Sequence, residues 1–106
     1  MAHWDFLTNH ALVLIHVLDH PNSTLREIAD AAGITERAAV TILRALEEDD
    51  IVSRQKEGRR NRYWVNVKAL LSHRRQGPYS VEELAEGLRH LSQELQESAA
   101  SANSVA

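Results

Sequence analysis

The residues best suited to chemistry are a cluster of cations between Val52 and Val67, in the sequence VSRQKEGRRNRYWVNV. Arginine and lysine side chains bind phosphate through charge-assisted hydrogen bonds, and a narrow arm that carries several can follow a nucleic-acid backbone or enter a minor groove. Two strand-like runs flank Gly58, so the segment predicts a basic β-hairpin. The hairpin residues expected to contact DNA are Arg54, Lys56, Arg59, Arg60, Asn61 and Arg62.

The charge of the chain is distributed unevenly around a net value of -3. Residues 52–68 hold six cations and one acid, a balance of +5, whereas residues 80–106 hold five acids and one arginine, a balance of -4. The local field depends on this distribution and not on the mean. The pattern favours one end that faces DNA and one solvated end.

A strongly apolar helix is predicted ahead of the hairpin. Thr8 or Asn9 can cap a helix through ALVLIHVLDH, and Pro21 stops it. The helix carries more apolar surface than one contact needs, so we expect it to bury two faces. The spacing predicts a core face of Ala11, Leu14, Ile15 and Leu18, with Leu12, Val13 and Val17 on the other sides.

The next segment has the punctuation of a helix-turn-helix. Thr24 and Glu27 form a capping box that starts a second helix, Gly33 ends it with a positive φ, and Thr35 caps a third helix over about residues 36–49. The third helix is expected to bury Val40, Leu43 and Leu46, with Ala39 beside them. That packing turns Arg37, Ala38, Thr41 and Arg44 outward, where they would face a DNA groove.

The chain closes with a second capping box and a helix. Residues 69–79 contain a Gly-Pro break and are predicted to be a connector, and Ser80 caps a helix over residues 80–97. Apolar residues follow at spacings of three and four, an a/d seam formed by Val81, Leu84, Leu88, Leu91 and Leu95. Such a short seam needs a partner, either the same domain or a second subunit. Residues 98–106 are expected to be a flexible tail.

In this order the elements resemble the winged helix-turn-helix transcriptional regulators of bacteria and archaea, especially small MarR-like and ArsR-like proteins. The resemblance runs from Trp4 to Leu88, in WDFLTNHALVL, GITERAAVTILRALEEDDIV, EGRRNRYWV and SVEELAEGL. It implies a mainly α fold with a small β-hairpin, in which residues 1–68 form the DNA-binding domain. By resemblance, Thr35, Arg37, Thr41 and Arg44 enter the major groove, and the wing contacts an adjacent backbone or minor groove through Arg59, Arg60, Asn61 and Arg62.

Two positions depart from the family pattern. Asp50 stands where similar proteins usually carry a glycine just after the recognition helix, which predicts a differently shaped turn there. Ile42 stands where many relatives carry a polar or basic groove contact. Fewer base contacts are expected to follow, which leaves specificity to Arg37, Thr41 and DNA shape.

The surplus apolar surface of the first helix and the seam of the last one favour a homodimer over packing within one chain. The residues expected at the interface are Leu12, Val13, Val17, Val81, Leu84, Leu88, Leu91 and Leu95. Two-fold symmetry would place two recognition helices in successive major grooves. The operator should then be an inverted repeat.

Other classes of function find little support in the residues. The chain has no cysteine, and its six histidines do not form a convincing ligand set, so neither a metal nor a cofactor is predicted. No nucleophile elbow or phosphate-cradling glycine loop suggests an enzyme. No apolar run reaches membrane-spanning length, and a cytoplasmic location is expected.

The sequence therefore predicts a sequence-specific regulator that binds double-stranded DNA, acting as a repressor. One alternative is a winged-helix adaptor whose wing binds an acidic protein, and another is a regulator that responds to an unnamed small-molecule effector in a pocket at the dimer interface. Single residues also have a second interpretation. Arg44 could pair with Glu47 or Glu48, and Trp64 could pack on the connector instead of stacking on a sugar.

Overall fold

The computed structural model describes residues 5–73 and 79–104. Its contacts divide the chain into two compact units, Met1–Ala69 and Leu70–Ala106. The elements in chain order are α1 (Asn9–Asp19), α2 (Leu25–Ala32), α3 (Glu36–Glu48), β1 (Val52–Glu57), β2 (Arg60–Val65), α4 (Val67–Leu71) and α5 (Val81–Ser104). The predicted fold class, mainly α with one small hairpin, is confirmed.

The first three helices begin where the sequence predicts them. Each follows a threonine in extended conformation whose hydroxyl accepts a hydrogen bond from the backbone N–H three residues later. The three caps are Thr8, Thr24 and Thr35, with donor-acceptor distances of 3.0 to 3.2 Å.

The inner face of α1 differs from the prediction. Val13 and Val17 are 0% and 1% exposed and Leu14 is buried beside them, whereas Ile15 and Leu18 are 44% and 47% exposed. The predicted core face was wrong at Ile15 and Leu18, because α1 packs on α2, α3 and β2 together and apolar residues on several sides of the helix leave its rotation undetermined by the sequence. Val13 and Val17, which were expected at a dimer interface, are core residues, and Leu12 is half-buried.

The turn between α2 and α3 depends on Gly33. Its φ of 68° lies in the left-handed region, as predicted. The chain reversal is closed by Gly33 N–H, which donates to the carbonyl of Asp30 at 3.2 Å, and by Ile34 N–H, which donates to that of Ala29 at 3.0 Å. These two bonds form a Schellman motif, which fixes the angle at which α3 leaves α2.

The end of α3 repeats this arrangement without a glycine. Asp50 has a φ of 58°, its N–H donates to the carbonyl of Glu47 at 3.0 Å, and Ile51 N–H donates to that of Leu46 at 2.9 Å. The expectation of a differently shaped turn was therefore wrong. An aspartate adopts the left-handed conformation here, because this residue type tolerates it better than most.

Helix α3 buries one stripe and leaves the other in solvent. Ala39, Ile42, Leu43 and Leu46 are buried, while Val40 is only half-buried. The predicted buried stripe differs from the observed one at two positions. It included Val40, and it placed Ile42 on the face toward the groove. Ile42 is 6% exposed, so its side chain belongs to the core.

The predicted hairpin is present as two antiparallel strands. Its register runs from Val52 opposite Val65 to Glu57 opposite Arg60, and Gly58 in the turn has a φ of 62°. Tyr63 is 2% exposed, and its N–H donates to the carbonyl of Pro21 at 2.8 Å. The hairpin is thus anchored in the core by one aromatic side chain and tied by its backbone to the segment before α2.

Strand β2 ends earlier than the sequence predicts. The segment predicted to form the hairpin extends to Val67, but Val67 begins the short helix α4 and is 56% exposed. The side chain of Asn66 accepts from Ala69 N–H at 3.2 Å, so an asparagine cap overrides the strand pattern. The Gly-Pro break of the predicted connector lies outside the described residues.

The second unit contains α5, which starts at the predicted capping box. Ser80 and Glu83 exchange hydrogen bonds of 3.2 to 3.3 Å between side chain and backbone. The helix continues to Ser104 instead of ending at residue 97, so the predicted flexible tail is helical over most of its length. Among the helices of the described residues, none combines the length and apolar character needed to cross a membrane.

Candidate nucleic-acid interface

The outward face of α3 carries the predicted groove residues. Arg37, Thr41 and Arg44 are exposed, and Ala38 is half-buried. The hydroxyl of Thr41 donates to the carbonyl of Arg37 at 3.2 Å, while that of Thr35 is engaged in capping the helix. Two guanidinium groups and one hydroxyl therefore define this face, and Thr35 serves the helix start.

The guanidinium groups of Arg37 and Arg44 have no hydrogen bond or ion pair within the part of the chain that the structure describes. The alternative in which Arg44 pairs with an acid of its own helix is not observed, since Glu47 pairs with Arg54 instead. An unpaired arginine on an exposed helix face keeps its donors available to a phosphate or a base edge.

The wing carries a basic concavity on one face of the hairpin. It is open to solvent, has a volume of about 430 Å³ and is lined by Arg54, Lys56, Arg59 and Asn61. Lys56 and Arg59 have no counter-charge among the described residues. A concave surface with several cations attracts phosphate, because the field of each charge adds to that of its neighbours.

Arg60 differs from its neighbours because it is held within the protein. Its Nη1 atom lies 2.9 Å from Oε1 of Glu27 and donates to the carbonyl of Asn22 at 3.0 Å. The hydrogen bond from Arg60, assisted by those from Thr24, lowers the pKa of Glu27 below its ordinary value of 4.5. Glu27 therefore serves both the predicted capping box and a contact between the wing and α2 that the sequence did not predict.

Arg54 is the second wing cation with an acidic partner. Its Nε atom lies 2.9 Å from Oε1 of Glu47, near the end of α3. That oxygen is shielded from solvent and accepts no hydrogen bond of good geometry within the described ranges. The charge of Arg54 thus compensates a partly buried carboxylate, and this pair links β1 to α3.

The two remaining predicted wing residues contact aromatic rings. The guanidinium carbon of Arg62 lies 5.4 Å from the ring centroid of Trp64, a cation–π geometry, and Trp64 is 43% exposed. Asn61 donates from its side chain to the hydroxyl of Tyr63 at 3.3 Å. Both pairs lie two residues apart on β2, where the alternation of side chains places them on the same face of the strand.

A polar cluster lies where α1 leads into α2. Ser23 is 1% exposed, and its hydroxyl donates to the carbonyl of His20 at 2.8 Å. Because that hydroxyl has only one proton, it accepts from Nε2 of His16, 2.9 Å away. Burial and the neighbouring His20 lower the pKa of His16 below 6.5, against the opposing effect of Glu27 and Asp19.

These contacts give His16 and the backbone of His20 a structural role. The spacing of the histidines in the sequence predicts no convincing set of metal ligands. Within the described ranges, no group of three or more histidine or acidic side chains is arranged to hold a metal ion. Ser23 was missed because a lone serine before a capping threonine gives no sequence signal of burial.

Three packed helices with a helix-turn-helix, followed by a two-stranded hairpin, define the class as a winged helix-turn-helix fold. Solved structures with this fold include MepR, a transcription regulator of the Staphylococcus aureus multidrug efflux pump MepA, at a TM-score of 0.56 and 19% identity over 92% of this chain. Two mutants of MepR match at TM-scores of 0.55 and 0.56, with 18% and 19% identity over 89% and 92% of this chain.

The likeness to MepR establishes the fold. The present chain spans 62% to 66% of the length of these three chains. No protein-family model and no curated protein matches the sequence.

Proposed function

We propose that this protein is a transcription regulator that binds double-stranded DNA with sequence specificity. The observation that carries the proposal is a set of exposed cations on the recognition helix and on the wing of one unit that have no ion pair within the described residues, namely Arg37, Arg44, Lys56 and Arg59. The fold supports it, because in a helix-turn-helix the second helix enters the major groove. The known role of MepR as a transcription regulator agrees with this assignment.

The four cations divide between the two tasks of recognition. Arg37 lies in the first turn of α3, where a recognition helix contacts base edges, and a bidentate contact from arginine to guanine discriminates by about 1 to 3 kcal/mol. Lys56 and Arg59 lie on the wing and would neutralise phosphates. Each neutralised phosphate adds about 0.9 to the magnitude of the slope of log affinity against log salt, so these two contacts predict a slope of about -2 per protomer.

The proposed regulator is a cytoplasmic homodimer that acts as a repressor on an inverted repeat. Repression needs only occupancy of a promoter. Dimerisation is supported by the exposed apolar seam of α5, in which Leu84, Leu88, Leu91 and Leu95 are 46% to 72% exposed. A small-molecule effector bound at the dimer interface stays a prediction from the sequence.

The test is fluorescence anisotropy with a labelled duplex from the protein's own upstream region, at two salt concentrations and with unrelated duplex as competitor. We expect tight binding that weakens with salt and resists the competitor. Arg37→Ala should relax the sequence preference, whereas Lys56→Ala should weaken binding to all duplexes alike. Absence of duplex binding at low salt would contradict the proposal and would favour an adaptor whose wing binds an acidic protein.

A further inference from the structure

The hairpin is held by the rest of its unit at a small number of points. A two-stranded hairpin is marginally stable by itself, so its orientation depends on the contacts that tether it. Tyr63 fixes β2 through its buried ring and through the bond from its N–H to the carbonyl of Pro21. Among the described residues, its side-chain tethers include the ion pairs of Arg60 with Glu27 and of Arg54 with Glu47, together with the bond from Arg60 to the carbonyl of Asn22.

These two arginines project from opposite faces of the hairpin. The register places Arg54 opposite Tyr63 and Arg60 opposite Glu57. Because side chains alternate between the faces of a strand, Arg54 shares the face of Tyr63 and Lys56, and Arg60 occupies the other face. One arginine reaches α2 at its N-terminal capping box, and the other reaches the last turn of α3. The hairpin is therefore held by α2 on one face and by α3 on the other.

We propose that Arg54 and Arg60 are positioning residues that set the angle of the wing, and that the phosphate contacts fall to Lys56 and Arg59. This inference rests on the proposed DNA-binding function and corrects the assignment of all wing cations to DNA. The guanidinium group of Arg60 already donates hydrogen bonds to a carboxylate and a carbonyl, and it would have to give up both contacts to bind a phosphate. Lys56 and Arg59 have no such contacts to lose within the described residues.

The decisive variant is Glu27→Gln, because the two assignments of Arg60 predict effects of opposite sign. If Arg60 positions the wing, loss of its carboxylate partner loosens the wing and weakens DNA binding, even though an acid has been removed. If Arg60 contacts phosphate, Glu27→Gln releases it and tightens binding. Glutamine retains the capping box, so α2 should keep its start. A matched control is Glu48→Gln, which removes an exposed acid that has no ion pair among the described residues and should leave affinity unchanged or slightly raised.

The experiment is anisotropy with the same duplex across a salt series, on variants whose thermal midpoints have been checked. We expect Glu27→Gln and Arg60→Ala each to weaken binding about 2- to 5-fold, the size of one exposed ion pair, with the salt slope unchanged. Arg59→Ala should instead reduce the magnitude of that slope by about 0.9. An affinity of Glu27→Gln equal to or above that of the unaltered protein, or an equal loss of slope in Arg60→Ala and Arg59→Ala, would overturn the inference.

A swapped pair gives a second, independent measurement. The double variant Glu27→Arg with Arg60→Glu restores an ion pair between the wing and α2 but places an acid at position 60. A positioning role predicts that the swap recovers affinity relative to Arg60→Glu alone, whereas a phosphate contact at position 60 would be lost in both. If the unaltered protein itself bound no duplex, the proposed function would fail first, and that result is distinct from either outcome of the swap.

Discussion

Asp50 occupies a backbone conformation that most L residues adopt at a cost. Its φ of 58° closes α3, and the bonds from Asp50 and Ile51 back to the helix depend on that geometry. Glycine enters this region without strain but loses more entropy on folding. Asp50→Gly should therefore stabilise the protein by about 0.5 to 1 kcal/mol, the strain relieved less the entropy added. Urea unfolding at constant m-value measures this difference.

The adjacent residue supplies the control. Asp49 has a φ of -88°, so Asp49→Gly adds chain entropy without relieving strain and should destabilise. A loss of stability in both variants would show that the side chain of Asp50 makes a contribution larger than its backbone strain.

His16 gives stability a pH dependence whose sign follows from its surroundings. Its folded-state pKa lies below the ordinary value of 6.5, so the unfolded chain binds the proton more readily. The free energy of unfolding should therefore fall as pH is lowered from about 7.5 through 6.5 toward the folded-state pKa. His16→Gln should flatten this dependence in thermal melts between about pH 5 and pH 7.5, whereas exposed His10→Gln should preserve it. Equal slopes in the two variants would assign the effect elsewhere.

At the scale of the element, the positions where helices begin can be predicted from the sequence more accurately than the faces that the helices bury. Thr24 and Ser80 cap the starts of their helices through short-range hydrogen bonds that can be predicted from the sequence alone. The rotation of α1 could not be predicted, because Val13 and Ile15 are equally apolar and only contact with three other elements distinguishes them. Local chemistry fixes the caps, while tertiary packing decides the faces.

Helix α3 offers a direct test of its rotation. Ile42 is 6% exposed, although it takes the place of a polar or basic groove residue in similar proteins, and its neighbour Thr41 is exposed. Ile42→Arg should destabilise the fold by more than about 3 kcal/mol, because it buries a charge without a partner. Thr41→Arg places the same charge in solvent and should change stability by less than about 0.5 kcal/mol. The stabilities of the two variants are measured by thermal or urea unfolding. If Ile42 faced the groove, Ile42→Arg would be the more stable of the two.

The wing shows a similar division at its own scale. The hairpin, its glycine turn and the buried Tyr63 follow from alternation and composition. The partners of Arg54 and Arg60 do not, because Glu47 and Glu27 belong to other elements and only the folded chain brings them close. A run of cations thus predicts a basic surface, but not which of its members remain available to a ligand.

The whole molecule distributes its charge unevenly along the chain and exposes apolar residues in both units. The hairpin segment carries the balance of +5 and the last segment that of -4, so the cations proposed to bind DNA lie in the basic segment of the first unit. In the second unit, α5 presents leucines that are 46% to 72% exposed along one seam. In the other unit, Ile15 and Leu18 of α1 are nearly half exposed and replace Val13 and Val17 as apolar residues available to a partner. Exposed apolar surface of this kind favours association with a second copy.

Dimerisation through α5 gives the prediction that belongs to the whole molecule. Leu88 lies at the middle of the seam, and a lysine there would be desolvated in the interface without a partner. Leu88→Lys should therefore sediment as a monomer at concentrations where the unaltered protein is a dimer. Gln93→Lys adds the same charge on the opposite side of the helix and should leave the dimer intact. The monomeric variant should also bind an inverted repeat no better than a single half-site, since two linked recognition helices gain affinity only while both engage. A dimer that persists in Leu88→Lys would move the interface to another surface and leave the exposed face of α1 as the next to be mutated.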